Sequence, residues 1–218
     1  MNYTALSNAI QAYTENTEAD FVANIPVFVQ QAEQRIYNSV QFPSIRKNVT
    51  GSMTTNNKYL QCPSDFLAVY SLAVINASGE YEYLLNKDVN FIRQAYPQPT
   101  DTGIPKYYAL FGPQSSNAAE LTFILGPTPD ASYGSELHYY YYPESIVTAT
   151  TTWLGDNFDS VLLYASLVEA YTYMKGEADM MALYNQKFME ALALAKRLGD
   201  GMERQDAYRS GQFRQKVT

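Results

Sequence analysis

The sequence predicts an α+β fold, in which helices from both ends of the chain form a bundle and an antiparallel β-rich domain is inserted between them. Apolar residues recur at helical spacing near both ends, whereas the middle alternates short β-branched and aromatic runs with turn residues. With 218 residues, the chain can bury a large core without disulfide bonds. The predicted parts are N-terminal helices (1–46), a β-rich domain (47–150), a helical hairpin (151–198) and a flexible tail (199–218).

The N-terminal part reads as two helical segments. One apolar face marks a first helix, with Leu6, Ala9, Ile10 and Tyr13 at helical spacing. Residues 17–20 resemble a capping box with Asp in place of the usual Glu. Pro26 would kink a helix interior but suits a first turn, and Asn24 is a good N-cap. We therefore expect a short helical turn, followed by a longer helix over about residues 25–40.

The middle of the chain reads as strands separated by turns. Residues 49–54 and 58–62 are predicted as two strands joined by a polar turn. Asp88 is expected to cap a short helix that Pro97 stops. Further strands are predicted at residues 69–75, 81–85, 106–111, 120–125 and 136–142. Such regular turns suggest an antiparallel sheet or a small sandwich.

Helical spacing returns near Asp156. The apolar face that follows is wide enough for a helix that is buried on more than one side. Gly176 separates it from a second helix over about residues 179–198, which suggests an antiparallel hairpin. Gly199 and Gly201 are expected to stop this second helix, as glycines do at C-caps.

Composition excludes several kinds of chemistry. The single cysteine, Cys62, cannot form an internal disulfide, and one histidine, His138, is too few for most histidine-based metal sites. We expect Cys62 to be a small buried side chain and His138 to lie on a strand surface or interface. No phosphate loop, nucleophile elbow or zinc-protease motif occurs, so no catalytic residue, metal or cofactor is predicted. The start shows no secretory signal, and no apolar run is long enough to span a membrane.

Charge is unevenly distributed along the acidic chain, whose net charge is −7. Between Lys106 and Lys175 there are seven acidic residues and no Lys or Arg. This stretch is either a core-rich segment with solvated acids or a functional acidic surface. Residues 199–218 carry a net +1 with isolated aromatic residues. This tail either becomes ordered on a partner through its arginines and aromatic rings or is a solvated end.

The 20 tyrosines favour surfaces that other molecules cover, because tyrosine combines an apolar ring with a polar tip. A β-rich domain would also use tyrosine for its strand propensity. The run Tyr139–Tyr142 would place two rings on each side of a strand. Core and subunit packing is favoured for these rings over base stacking, because no basic residue is near in sequence; sugar stacking is a further alternative.

Several segments combine into one pattern that covers most of residues 20–195. The segments are Ile25-Pro26-Val27-Phe28, Ala32-Glu33-Gln34-Arg35-Ile36, Tyr59-Leu60, Pro63-Ser64-Asp65-Phe66-Leu67, Gly103-Ile104-Pro105-Lys106-Tyr107-Tyr108-Ala109, the tyrosine-rich strand ending at Pro143, Trp153-Leu154, Asp159, Leu162-Leu163-Tyr164-Ala165 and Val168-Glu169-Ala170-Tyr171. In their order and spacing, these segments resemble the head-to-tail connector adaptors, also called tubular-tail or gatekeeper-type proteins, of short-tailed bacteriophages.

This resemblance implies a structural virion protein, made in the host cytoplasm, with a helical bundle and a β-rich domain. It implies a homo-oligomeric ring, usually of twelve subunits, between the portal protein and the next tail or nozzle protein. DNA would pass through the lumen during ejection without sequence-specific binding, and no membrane is involved. If the acidic stretch faced the lumen, it would repel phosphates and let the duplex slide.

Two sets of contact residues are expected on this basis. The tail would bind the portal through arginines and aromatic residues, namely Arg204, Tyr208, Arg209, Phe213 and Arg214. Subunits would meet through aromatic and apolar residues of the β-rich domain and the hairpin, namely Tyr139, Tyr141, Phe158, Leu162 and Tyr171. The alternative function is a carbohydrate-binding or receptor-binding tail module, which would use the tyrosines and Trp153 but leaves the terminal helices unexplained.

Overall fold

The computed structural model describes residues 1–40, 42–112 and 121–204, and the chain divides into two compact units. The helical unit combines Met1–Ile45 with the chain from Pro143 onwards, and the β unit is Arg46–Tyr142. All described strands lie in the β unit, which interrupts the helical unit in sequence. The predicted α+β class is confirmed.

The described elements are numbered in chain order. The helices are α1 (Tyr3–Thr14), α2 (Ala19–Ser39), α3 (Val89–Ala95), α4 (Ile146–Ala149), α5 (Trp153–Asn157), α6 (Asp159–Met174) and α7 (Ala178–Arg204). The strands are β1 (Arg46–Met53), β2 (Tyr59–Gln61), β3 (Ala68–Ile75), β4 (Tyr81–Tyr83), β5 (Leu85–Asn86), β6 (Tyr107–Phe111), β7 (Thr122–Gly126) and β8 (Tyr133–Tyr140).

Helix α6 lies at the centre of the helical unit, with α1, α2 and α7 packed against it. Its buried residues lie on more than one side of the helix, as the wide apolar face predicted. The Ser166 hydroxyl, which is fully buried among them, donates to the Leu162 carbonyl oxygen at 2.8 Å and so keeps a hydrogen bond without water. The buried set is Val161, Leu162, Leu163, Ala165, Ser166, Leu167 and Ala170.

Helix α2 is continuous through Pro26, so the predicted separate turn with a helix starting near Asn24 is wrong. The predicted capping box does not form either, because the N-cap is Glu18 and makes no side-chain hydrogen bond. Proline removes one backbone hydrogen bond, but the apolar stripe runs past it on both sides. Burial of that stripe favours one continuous helix, and its residues include Phe21, Ile25, Phe28 and Val29.

Helix α7 passes the predicted stop and ends at Arg204. The prediction that Gly199 and Gly201 terminate the helix is wrong. A glycine inside a helix costs only about 1 kcal/mol relative to alanine, and the residues after Gly201 are good helix formers. Gly176 does lie between the two helices of the hairpin as predicted, directly after Lys175, which caps α6 in the left-handed conformation. A Cβ atom on Gly176 would lie 2.5 Å from the Tyr171 ring.

In the part of the chain that the structure describes, the β unit is a sandwich of two four-stranded sheets. One sheet has the order β1-β8-β3-β4 and the other the order β2-β7-β6-β5. The described strand pairs are antiparallel except β5–β6, which is parallel. The two strands predicted around residues 49–54 and 58–62 both form, and the polar turn between them carries the chain from one sheet to the other.

Alternation along β8 decides which side of its sheet is buried. Leu137 and Tyr139 point into the sandwich core, where they join Phe123 and Leu125 of the other sheet. His138 and its even-numbered neighbours point to the outer face. Helix α3 covers the outer face of the second sheet instead, through contacts of Ile92, Ala109 and Ile124.

A buried carboxylate ties α2 to the chain that follows the β unit. Glu33 is only 3% exposed, and its Oε1 accepts a hydrogen bond from the Ile146 backbone N–H at 2.9 Å, at the start of α4. Burial raises the pKa of Glu33, although hydrogen bonds from Ser145 and Ile146 act in the opposite direction. Glu33 therefore acts as a cap supplied by a distant helix.

We predict that Glu33→Gln and Glu33→Ala differ in stability. Glutamine keeps the acceptor without the charge, so the free energy of unfolding at pH 7 should be unchanged or higher. Alanine leaves the Ile146 N–H without its partner and should lower the free energy of unfolding by about 1–3 kcal/mol. Urea denaturation measures both values, and equal losses in the two variants would contradict this role.

The raised pKa of Glu33 predicts that the free energy of unfolding depends on pH. The folded protein holds the Glu33 proton more tightly, so stability falls as the pH rises from the ordinary value of 4.5 through the raised pKa. Glu33→Gln should remove this fall. Denaturation curves between pH 4 and pH 8 would reveal it as a flatter pH profile than that of the wild-type protein.

Candidate assembly surfaces

The two side chains of greatest potential reactivity, Cys62 and His138, have structural positions in the β unit. Cys62 is buried in the sandwich core, and desolvation raises the pKa of its thiol to about 12, so it stays protonated at neutral pH. His138 lies on an outer sheet face, with Nδ1 3.3 Å from the Ser71 Oγ. Among the described residues, no group of three His, Cys, Asp or Glu is arranged to hold a metal ion. Within the same part of the chain, no helix has the length and apolarity to cross a membrane.

The outer face of the β1-β8-β3-β4 sheet carries large exposed aromatic rings. The side-chain register places Tyr83 beside Ala73 and Tyr81 beside Ile75 on this face. Tyr70, Tyr81 and Tyr83 are 52%, 51% and 66% exposed. We call this surface, which comprises Arg46, Tyr70, Tyr81, Tyr83 and Tyr140, the tyrosine face.

An arginine holds two of these rings in place. The Arg46 guanidinium carbon lies 5.2 Å from the Tyr70 ring centre and 5.8 Å from that of Tyr140. The two rings meet edge to face at 6.0 Å. Arg46 and Tyr140 are direct cross-strand neighbours, and a bulge between Val69 and Ser71 inserts Tyr70 beside them. This part of the tyrosine face is thus organised before any partner binds.

In the same sheet, Asp65 of the Pro63–Leu67 segment connects strands β1 and β8. The Lys47 Nζ donates to Asp65 at 2.6 Å, and the Tyr139 hydroxyl donates to the other carboxylate oxygen at 2.8 Å. Burial acts to raise the pKa of Asp65, but the hydrogen bonds from Lys47 and Tyr139 outweigh it and lower the pKa. The pKa of Tyr139 is raised by burial and by Asp65. Phe66, from the same segment, stacks on the Tyr139 ring.

The predicted subunit-contact residues differ in their surroundings. Tyr139 and Leu162 are buried in the cores of their own units, which leaves them almost no surface for a neighbour. Tyr141, Phe158 and Tyr171 are partly buried. For these three, a role in subunit contact stays a prediction.

Tyr171 and Phe158 both belong to aromatic clusters of the helical unit. The Tyr171 ring lies 4.9 Å from that of Tyr184, and its hydroxyl donates to the Tyr13 carbonyl oxygen at 3.3 Å. Phe158 packs between Phe42 and Trp153, with ring centres 5.2 and 5.4 Å apart. Both clusters stabilise the helical unit, and the Tyr171 and Phe158 rings stay partly accessible.

The exposed tyrosines at positions 70, 81 and 83 were not among the predicted contacts. Alternation in the sequence assigns them to strands, but only the pairing of β3 and β4 shows that they share an open face.

The portal-contact prediction falls mostly outside the described residues. Arg204 is the last residue of α7, and the other four predicted residues follow it.

The acidic stretch is divided between the two units. Glu136 accepts from the Asn48 amide at 2.7 Å in the β unit, and Glu169 pairs with Arg35 at 3.5 Å in the helical unit. Glu120 lies outside the described residues. The exposed acids of the helical unit within this stretch are Glu144, Asp156 and Asp159. A lumen-facing position for them stays a prediction.

We predict that Tyr139→Phe lowers the free energy of unfolding by about 1–2 kcal/mol at pH 7, because it removes a hydrogen bond to a charged group. Tyr141→Phe, in the same segment, serves as the control. The loss should shrink as the pH falls through the depressed pKa of Asp65, where the carboxylate becomes protonated. Urea denaturation at pH 7 and at a series of lower pH values tests this; equal losses for both variants at every pH would contradict it.

Comparison with known families agrees with the resemblance seen in the sequence. The family model described as SU10 adaptor protein matches residues 1–215, which span both units. No curated protein matches the chain. The match covers nearly the whole sequence, so the resemblance to phage adaptors is confirmed. The chain belongs to the SU10 adaptor protein family of phage head-tail adaptors and is a structural protein of a bacteriophage.

Proposed function

We propose that this adaptor forms a ring that joins the portal to the next tail component and surrounds part of the path by which DNA is ejected. Family membership supports a position at the head-tail junction. As in the family that the sequence resembles, we expect about twelve subunits.

The observation that carries the proposal is the tyrosine face. Tyr and Arg are enriched among the residues that dominate binding energy in protein interfaces. Here three exposed tyrosines share one sheet face with an arginine that already stacks on two rings. Such a pre-ordered aromatic surface loses little conformational entropy on binding, which suits an assembly protein.

The acidic residues support a conduit role for the ring. Asp130 of the β unit and Glu144 of the helical unit are exposed, in a stretch without Lys or Arg. A lumen lined by such side chains would repel DNA phosphates and permit sliding. Portal attachment would use the residues after α7, where Tyr208, Arg209, Phe213 and Arg214 follow Arg204.

Electron microscopy of the protein mixed with the portal of the same phage tests the ring. We expect rings attached to the portal, and their absence at saturating protein would contradict the proposal. Deletion of residues 205–218 leaves α7 intact and should greatly weaken attachment. Circular dichroism controls for folding, and undiminished attachment of a folded deletion variant would reject the portal-binding role of the tail.

A second candidate function is a carbohydrate-binding or receptor-binding tail module. The exposed rings of Tyr70, Tyr81 and Tyr83 favour it, because flat aromatic surfaces also stack on sugars. Binding of the isolated protein to a glycan array would support this function. Loss of that binding in Tyr83→Ser, with unchanged folding, would assign it to the tyrosine face.

A further inference from the structure

The last part of α7 extends beyond the helix that supports it. At a rise of about 1.5 Å per residue, α6 with 16 residues is about 24 Å long and α7 with 27 residues about 40 Å. The two helices form a hairpin, so Asp159 at the start of α6 is level with about residue 193. Roughly the last ten residues of α7 therefore have no part of α6 beside them.

This overhanging part of α7 bears an exposed apolar and basic stripe. Leu194 and Leu198 lie one turn apart and are 64% and 50% exposed. Arg197 is exposed on the same side, and it has no ion-pair partner among residues 1–198 whose side chains the structure describes. We call these three residues the α7 stripe. Their i, i+3, i+4 spacing is that of a helix face that contacts another surface.

The same end of the helical unit presents a complementary surface. Trp153 and Phe158 are partly buried, with ring centres 5.4 Å apart. Asp156 and Asp159 are exposed beside them in sequence, on either side of Phe158. The Asp156 carboxylate lies 3.7 Å from the N-terminal amine, whereas Asp159 has no ion-pair partner within the described ranges. We call these four residues the aromatic rim.

The two surfaces match in chemistry and in level. One has exposed leucines beside a cation, and the other has accessible aromatic rings beside carboxylates. Hairpin geometry places Asp159 level with about residue 193, so stripe and rim lie at similar levels along the bundle axis. Rotation about an axis parallel to the bundle would bring the stripe of one copy to the rim of the next. Repetition of such a head-to-tail contact can close a ring.

We propose that the α7 stripe of one copy docks on the aromatic rim of a second copy of this chain, with Arg197 facing Asp159. The leucines cover the accessible parts of Trp153 and Phe158, and the charge pair sets the register. This contact rests on the proposed ring and names which subunit surfaces hold it together. It also gives Phe158 the subunit contact that the sequence predicted.

Charge reversal tests the contact. We expect Arg197→Glu and Asp159→Lys each to reduce the number of rings on the portal about tenfold at a fixed protein concentration. The double variant, which restores the pair in reversed order, should recover most of that loss. Lys196→Glu makes the same charge change about 100° around α7 from Arg197 and should have little effect.

Equal losses for Arg197→Glu and Lys196→Glu, or no recovery in the folded double variant, would overturn the proposal. Thermal unfolding identifies variants that fail to fold, and Arg197→Gln with Asp159→Asn then replaces the reversed pair. If the wild-type protein forms no ring on the portal, the proposed function fails. The contact is then judged by sedimentation of the protein alone at high concentration. The same ranking of the variants by their self-association would support the contact, and the absence of self-association of the wild-type protein would overturn it.

Discussion

The helical unit depends on the burial of α6 on more than one side. A helix with so little polar surface must be covered by several partners, and α1, α2 and α7 supply them. This explains why α2 stays helical through Pro26, since its stripe must follow α6. It also limits α7, because a 16-residue helix can support only part of a 27-residue one. The exposure of Leu194 and Leu198 in the α7 stripe is therefore a consequence of how the core is built.

Two charged residues, Glu33 and Asp65, lie in sequence segments that carry the resemblance to the family. Each forms hydrogen bonds within its own unit. Glu33 caps α4 from a buried position, and Asp65 joins Lys47 to Tyr139. Each removes a polar group from the set that could bind a partner, and each fixes how distant parts of one unit meet. The segments that carry the resemblance thus include residues that stabilise the fold, whereas Tyr70, Tyr81 and Tyr83 of the tyrosine face lie outside these segments. The α7 stripe lies outside them as well.

Long periodic elements were predictable from the sequence, and elements that depend on tertiary context were not. The wide apolar face of α6 and the strands of the sandwich follow from spacing alone. The short helices α4 and α5 are below the length at which periodicity is informative, and local rules for Pro26, Gly199 and Gly201 were overridden by packing or by neighbouring helix formers. The exposure of Tyr70, Tyr81 and Tyr83 depends on strand pairing, which no local pattern specifies.

We expect the tyrosine face to become covered when the adaptor assembles. Hydroxyl-radical footprinting with mass spectrometry measures this directly, because exposed tyrosines are modified and covered ones are not. The modification rates of Tyr70, Tyr81 and Tyr83 should be compared between the free protein and the ring on the portal, with internal calibration on the buried Tyr139. Modification of the three exposed tyrosines should fall strongly on assembly. Unchanged modification of all three in assembled rings would show that this face does not take part in the assembly.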